Sequence, residues 1–237
     1  MIKQHINSMN SYSFDTKIEW TTSISPVPYP DALRIMEQRI EDIKLGNAPE
    51  LIWCLQHPAI LTAGTSANPN DLLQAKRFEV FKTGRGGQYT YHGPGQRVVY
   101  VMLNLDKRGR DIRGFVRQLE QWIIGSLSDF KIAARRYDER VGVWVDKKTP
   151  AGKDTEAKIA AIGIRIRRWV SFHGISINVD PDLSHYQAIV PCGISDFGVT
   201  SLADLGKTQS MADLDSALMS GFVAQFGAVE IVEPQLP

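Results

Sequence analysis

The sequence predicts an α+β fold: a mixed, largely antiparallel sheet packed by helices. Three observations carry that prediction. Apolar ladders at helical spacing occur at three separated places, 33–43, 112–130 and 214–226. Between them lie short β-branched and aromatic runs, several of them adjacent in sequence across turn residues, as antiparallel neighbours are. No internal repeat, low-complexity segment or linker divides the 237 residues, so the chain reads as one domain over 1–237, with residues 1–20 as a loosely ordered lead-in.

The elements follow in order. Residues 1–29 read as a loose lead-in, closed by Pro26, Pro28 and Pro30. A helix is predicted over 31–45, where Leu33, Met36, Ile40 and Ile43 share a face and Gly46 supplies the stop. Leu51 to Leu55 reads as a buried strand ending at His57-Pro58, Ala63 to Asp71 as a loop, and Phe78 to Lys82 as a second strand. Asp111 suits the cap of a helix whose apolar face is Ile112, Phe115, Leu119, Trp122, Ile123, Leu127 and Phe130. Val141 to Val145 is strand-like, Lys147 to Glu156 is a polar loop, and Lys158 to Val170 and Ser171 to Val179 are two more strands. The last helix starts at Ser210, whose spacing to Asp213 resembles a capping box; its ladder is Leu214, Leu218, Phe222 and Phe226, and Gly227 ends it.

Composition narrows the function. Hydrophobic residues make up 43% and charged residues 22%, enough for a sizeable core. The formal net charge of +1 gives no bulk attraction to nucleic acid. Two cysteines, Cys54 and Cys192, are too few for a disulfide framework, and the N-terminus lacks a secretory h-region, so a reducing, cytoplasmic setting is expected. No run approaches the roughly 20 apolar residues of a membrane span.

The densest chemical signal is Arg85-Gly86-Gly87-Gln88-Tyr89-Thr90-Tyr91-His92-Gly93-Pro94-Gly95-Gln96. Glycines so closely spaced are costly unless the backbone takes positive φ or lies against a ligand. The flanks alternate as strands do, and Val98 to Leu103 is an apolar run, so the segment reads as a hairpin: strand, Gly-Pro-Gly turn, strand. A purely structural hairpin needs neither the histidine nor this many glycines.

Cys192 follows Pro191 and precedes Gly193, after the apolar run Ala188 to Val190. Such a thiol is either a buried structural residue or a nucleophile. As a nucleophile it needs a cation or base to favour the thiolate, and Lys158, His92 and His173 are the candidates. Lys158 leads a strand of small and apolar residues, with Ala160, Ala161 and Gly163 small enough to leave a cavity wall. It is either a snorkelling strand end or a desolvated amine. His5, His57 and His185 have no supporting context, and the histidines lack zinc-like spacing, so no metal is expected. Basic clusters at 107–110, 135–136 and 165–168 are solvated faces by default; Arg165, Arg167 and Arg168 would suit an acidic protein partner.

Three blocks together resemble the octanoyltransferases of lipoate biosynthesis, the lipoyl(octanoyl) transferases of lipoate-protein ligase B type. They are 85–96, the stretch Lys158-Ile-Ala-Ala-Ile-Gly-Ile-Arg165, and Ser171 to Val179 with Pro191-Cys192-Gly193, in the family's order. The resemblance implies the α/β sandwich shared with biotin and lipoate protein ligase catalytic domains. It implies octanoyl transfer from octanoyl-acyl carrier protein to a lysine of apo-lipoyl domains, such as those of 2-oxoacid dehydrogenase E2 subunits or the glycine cleavage H protein. By the same resemblance Cys192 would carry the acyl thioester and Lys158 would assist its ionisation and proton transfer. Arg85, Gly86, Gly87, Gln88, Tyr89, Thr90, Tyr91 and His92 would line the binding site, completed by Ala161, Ile162, Gly163, Gly174, Ile175 and Ser176, with His173 in support. No cofactor is implied, neither ATP nor metal; nor is a nucleic-acid or membrane partner, and the expected state is a monomer. The loop 147–157 is longer than in many relatives and the first twenty residues have no clear counterpart.

Three other readings compete. An ATP-dependent lipoate or biotin ligase would activate a free acid and need no cysteine. A non-catalytic acyl-binding protein would keep binding octanoyl groups without Cys192. A cysteine hydrolase built on Cys192 with His173 or His92 would release free acid.

Overall fold

The computed structural model describes residues 17–148, 152–190 and 197–234. The central feature is a mixed sheet in the spatial order β12-β1-β2-β6-β10-β9-β8-β7, with the short β11 paired beside β9. Its strands are β1 (Ile18–Thr22), β2 (Glu50–Leu55), β6 (Gln96–Met102), β7 (Ala134–Arg135), β8 (Val143–Lys148), β9 (Asp154–Arg167), β10 (Val170–Asn178), β11 (Gly198–Val199) and β12 (Glu230–Ile231). The run from β2 to β7 is antiparallel throughout, and β1 is parallel to both β2 and β12. A second, smaller sheet has the order β4-β3-β5, from β3 (Ile60–Ala63), β4 (Glu79–Lys82) and β5 (Tyr89–His92).

Helices cover both faces of the large sheet, which is why its central strands read as unbroken apolar runs. Along β2 and β6 the side chains alternate. Leu51, Trp53, Leu55, Val98, Tyr100 and Met102 pack under α1 (Tyr29–Leu45), whereas Ile52, Cys54, Val99 and Val101 face α2 (Ile112–Ser128) and α3 (Met211–Phe226). The helix ends carry the chemistry the sequence predicts. Gly46 closes α1 at φ 77°, the Asp111 carboxylate accepts from the Gly114 amide, and Ser210 with Asp213 forms a capping box.

Several expectations need correction. Residues 18–22, placed in the lead-in by their polar flanks, form β1, whose Trp20 is buried against α2 and α3. Ala63, read as the start of a loop, closes the strand Ile60–Ala63. Within the loop predicted over 147–156, Lys147 and Lys148 belong to β8 and Asp154 to Glu156 belong to β9, paired as far as Lys148 with Asp154. The glycine-rich hairpin does not exist as such. Both strands form, but β5 pairs with β3 and β6 pairs with β2 and β10. The Gly93–Gly95 turn therefore carries the chain from one sheet to the other. Gly95 sits at φ 84°, and its carbonyl accepts the amides of Val179 and Asp180.

The basic clusters are mostly paired. Arg108 meets Glu50 in a buried fork, with Nη2 2.6 Å from Oε2. Arg167 and Arg168 reach Glu41 on α1, at 3.4 and 3.0 Å, so their positive patch is partly neutralised.

Candidate active site

A cavity of about 330 Å³ opens between the small sheet and the centre of the large one. β5 and the 85–88 loop form one wall, and β9 and β10 form the other. Almost every residue singled out in the sequence borders it: Arg85, Gly86, Gly87, Gln88, Tyr89, Thr90 and His92, then Lys158, Ala161, Ile162 and Gly163, then His173, Gly174, Ile175 and Ser176. Tyr91 does not. Its hydroxyl bonds His185 Nδ1 at 2.8 Å within the cluster that backs the small sheet. Cys192 lies outside the described residues. The chain before it is tied down by the Val190 amide, which donates to the Asp71 carbonyl. After it, Phe197 packs its ring 5.4 Å from that of Trp144, and Val199 is the register partner of Lys158.

Lys158 is buried at the cavity wall. Its Nζ donates to the Val141 carbonyl at 3.1 Å and stands 4.7 Å from the centre of the Trp144 ring. The same ring faces the Arg140 guanidinium at 4.3 Å, and Arg140 is ion-paired to Glu156.

Arg85 lines the cavity but spends its donors on the protein. Nε and Nη2 bond Thr62, Nη1 donates to the Gly86 carbonyl at 2.9 Å, and Nη2 also reaches the Gln88 carbonyl at 3.0 Å. The guanidinium thus acts as a former around which the glycine-rich loop is wrapped. A Cβ at Gly163 would lie 2.9 Å from Arg85 Cδ, so that glycine makes room for the arginine stem. Gly174 answers a different need: a Cβ there would overlap the Val99 carbonyl oxygen of β6.

The inner wall is a set of neutral imidazoles and tyrosines. His57 Nδ1 lies 2.6 Å from the Val27 carbonyl, which can only accept, so Nδ1 carries the proton and Nε2 accepts from the Tyr100 hydroxyl at 2.6 Å. Gln96 donates through its amide nitrogen to the Tyr91 carbonyl and to Asn178 Oδ1, leaving its Oε1 to accept from His92 Nδ1 at 2.7 Å. His92 therefore carries its proton on Nδ1 and its lone pair on Nε2. His173, at φ 60°, bonds the Tyr29 hydroxyl through Nε2 at 3.1 Å. Burial pushes the pKa of His57 down to about 4. Burial, helped by the Arg85 charge, takes His92 and His173 to about 3. Burial likewise pushes Tyr29 up to about 12.

The sequence did not single out Tyr29, Thr62, Tyr100 or the Glu139–Val141 stretch, all of which border the cavity. Only Tyr100 carried a signal, by its alternation with Val99 and Val101. His57, set aside for want of context, is brought within 5.9 Å of His92, ring centre to ring centre.

Comparison with known proteins agrees with this architecture. Residues 28–223 match the lipoyl protein ligase A/B catalytic domain, and the chain belongs to that family. Among curated relatives, the octanoyltransferase of Parvibaculum lavamentivorans is 59% identical over 88% of this chain and 92% of its own length. That of Paramagnetospirillum magneticum is 57% identical over 89% and 98%. The bipartite lipoate protein ligase of Thermoplasma acidophilum shares the fold, with a TM-score of 0.65 at 15% identity over 92% of this chain and 88% of that one.

Proposed function

We propose that this chain is an octanoyltransferase that moves an octanoyl group from octanoyl-acyl carrier protein, through a thioester on Cys192, to the ε-amine of a lysine on apo-lipoyl domains, in the cytoplasm. Octanoyl transfer in lipoate biosynthesis follows from the identity to curated octanoyltransferases. The observation that best supports the two-step route is the Lys158 amine, held at the cavity wall on β9, the strand with which the chain pairs again from Gly198, six residues after Cys192.

In the first step the Cys192 thiolate attacks the carrier thioester carbonyl, and the carrier thiolate leaves and takes a proton. One thioester replaces another. In the second step the acceptor lysine amine attacks the Cys192 thioester, loses a proton and forms an amide while the Cys192 thiolate departs. Amide formation from a thioester is downhill, so the sequence needs no ATP, and ping-pong kinetics follow. As an ammonium Lys158 favours the thiolate; as an amine it accepts the incoming lysine's proton. The glycine-rich loop shaped by Arg85, and the small residues Ala161 and Gly163, form the walls for the acyl chain. His92 and His173, held neutral, serve as hydrogen-bonding groups rather than as a base that shuttles charge.

The test is intact-protein mass spectrometry after mixing the enzyme with octanoyl-acyl carrier protein without ATP, followed by peptide mapping. A hydroxylamine-sensitive adduct on Cys192 that is discharged by apo-lipoyl domain is expected. No adduct, with lipoyl-domain modification requiring ATP and free acid, would instead make the protein a ligase.

A further inference from the structure

Glu120 is a carboxylate on α2 that the mechanism above does not use. It is 2% exposed and sits among the apolar residues that α2 turns to the sheet. Burying a carboxylate is costly unless it is hydrogen-bonded. Its Oε1 accepts from the Gly142 amide at 3.0 Å.

Gly142 is itself constrained. Its φ of 124° is a conformation that suits glycine, and a Cβ there would lie 2.9 Å from the Ala160 carbonyl oxygen and 3.2 Å from Lys158 Cε. Just beyond it the β8–β9 ladder slips, with Val143 opposite Ala160 and Trp144 opposite Lys158. Such irregularities re-aim side chains. This one leaves Lys158 facing the carbonyl of Val141, the residue before Gly142.

We infer that Glu120 is a positioning residue for Lys158: by fixing the Gly142 amide it holds the Val141 carbonyl where it receives the Lys158 ammonium. Glu120 acts through the backbone and touches no reacting atom. The inference rests on the role proposed above for Lys158.

The experiment is steady-state octanoyl transfer by Glu120→Leu, Glu120→Gln and Lys158→Ala, with folding checked by circular dichroism and thermal melting. Leucine fills the volume without an acceptor, whereas glutamine keeps Oε1. Glu120→Leu is expected to lower kcat about tenfold or more at unchanged KM for the acyl donor, and Glu120→Gln to stay within about threefold of wild type. Wild-type kcat in Glu120→Leu, or an equal loss in both Glu120 variants, overturns the inference. If Glu120→Leu does not fold, Glu120→Met decides, since its flexible side chain fills a similar volume and offers the Gly142 amide no carboxylate. A folded variant with wild-type kcat overturns the inference, and one with kcat lowered at unchanged KM supports it. Lys158→Ala separates the two ideas. Turnover surviving there removes the role of Lys158 itself, whereas a dead Lys158→Ala beside a fully active Glu120→Leu leaves that role standing and removes only Glu120's.

Discussion

Lys158 and Trp144 are register partners on β9 and β8, and the ammonium of the first stands 4.7 Å over the indole of the second. A desolvated cation over an aromatic face gains about 0.5–2 kcal/mol. That contact, with the Val141 carbonyl, gives the ammonium two fixed neighbours at the cavity wall.

The ring face should therefore matter beyond its volume. Trp144→Leu is expected to lower octanoyl transfer by about two- to thirtyfold, the range that contact energy spans. Trp144→Phe, which keeps a face, should lose less. Denaturant unfolding of both variants separates this from the packing loss that any truncation of a buried tryptophan causes. Equal losses of turnover in both would show that the face contributes nothing.

Three buried histidines, His57, His92 and His173, contribute to the acid sensitivity of the fold. Their folded pKa values are about 4 for His57 and about 3 for His92 and His173, against 6.5 in an unfolded chain. Between those limits the unfolded chain binds the extra protons, so stability is fully present above pH 6.5 and falls as pH drops toward the folded values. At pH 5 the loss is roughly 2 kcal/mol per histidine. The melting temperature should fall steadily from pH 6.5 to 4.5, and a folded His57→Gln variant should show a shallower slope. Because none of the three titrates in the folded protein between pH 6 and 8, kcat should show no histidine step there.

Much of this was legible in the sequence. Three helices, their caps and the central strands follow from apolar periodicity, and the cavity residues follow from the density of glycine, histidine and lysine in three blocks. What failed is instructive. Gly93-Pro94-Gly95 looks like a hairpin turn because local sequence records a reversal but not which strands pair afterwards. β3 lies on that other sheet, and only its long-range pairing reveals it. β1 was hidden because Glu19 and Thr22 interrupt its apolar pattern, and its burial comes from α2 and α3, far along the chain. Tyr29, Thr62 and His57 join the site through tertiary contact alone. Arg85 borders the cavity, yet its donors turn to Thr62, Gly86 and Gln88, which no spacing rule reports.

Gly174 is required by the sheet rather than by the cavity it borders. On β10 it is paired with Tyr100 of β6, and a Cβ would overlap the Val99 carbonyl oxygen, a backbone atom that cannot swing aside. Gly174→Ala is expected to destabilise the protein by about 2 kcal/mol or more, in the manner of an overpacked core. Thermal and urea unfolding measure this directly. A variant of wild-type stability would mean that β6 and β10 separate more readily than their register implies.

Arg85 offers a test that separates charge from shape. Arg85→Lys keeps a cation near His92 and His173 but cannot reproduce a fork that reaches Thr62, Gly86 and Gln88 together. Hydrogen bonds to charged groups contribute about 1.5–3 kcal/mol each, and two or more would be lost, so a drop of about 3 kcal/mol or more is expected. The 85–88 loop should loosen with it, raising KM for the acyl donor. Arg85→Gln removes the charge that helps hold both histidines neutral, so their pKa values should rise, visible as histidine ring signals titrating at higher pH by NMR. Histidine titrations unmoved in Arg85→Gln would assign their neutrality to burial alone. A lysine variant as stable as wild type would show that the loop keeps its shape without the guanidinium at its centre.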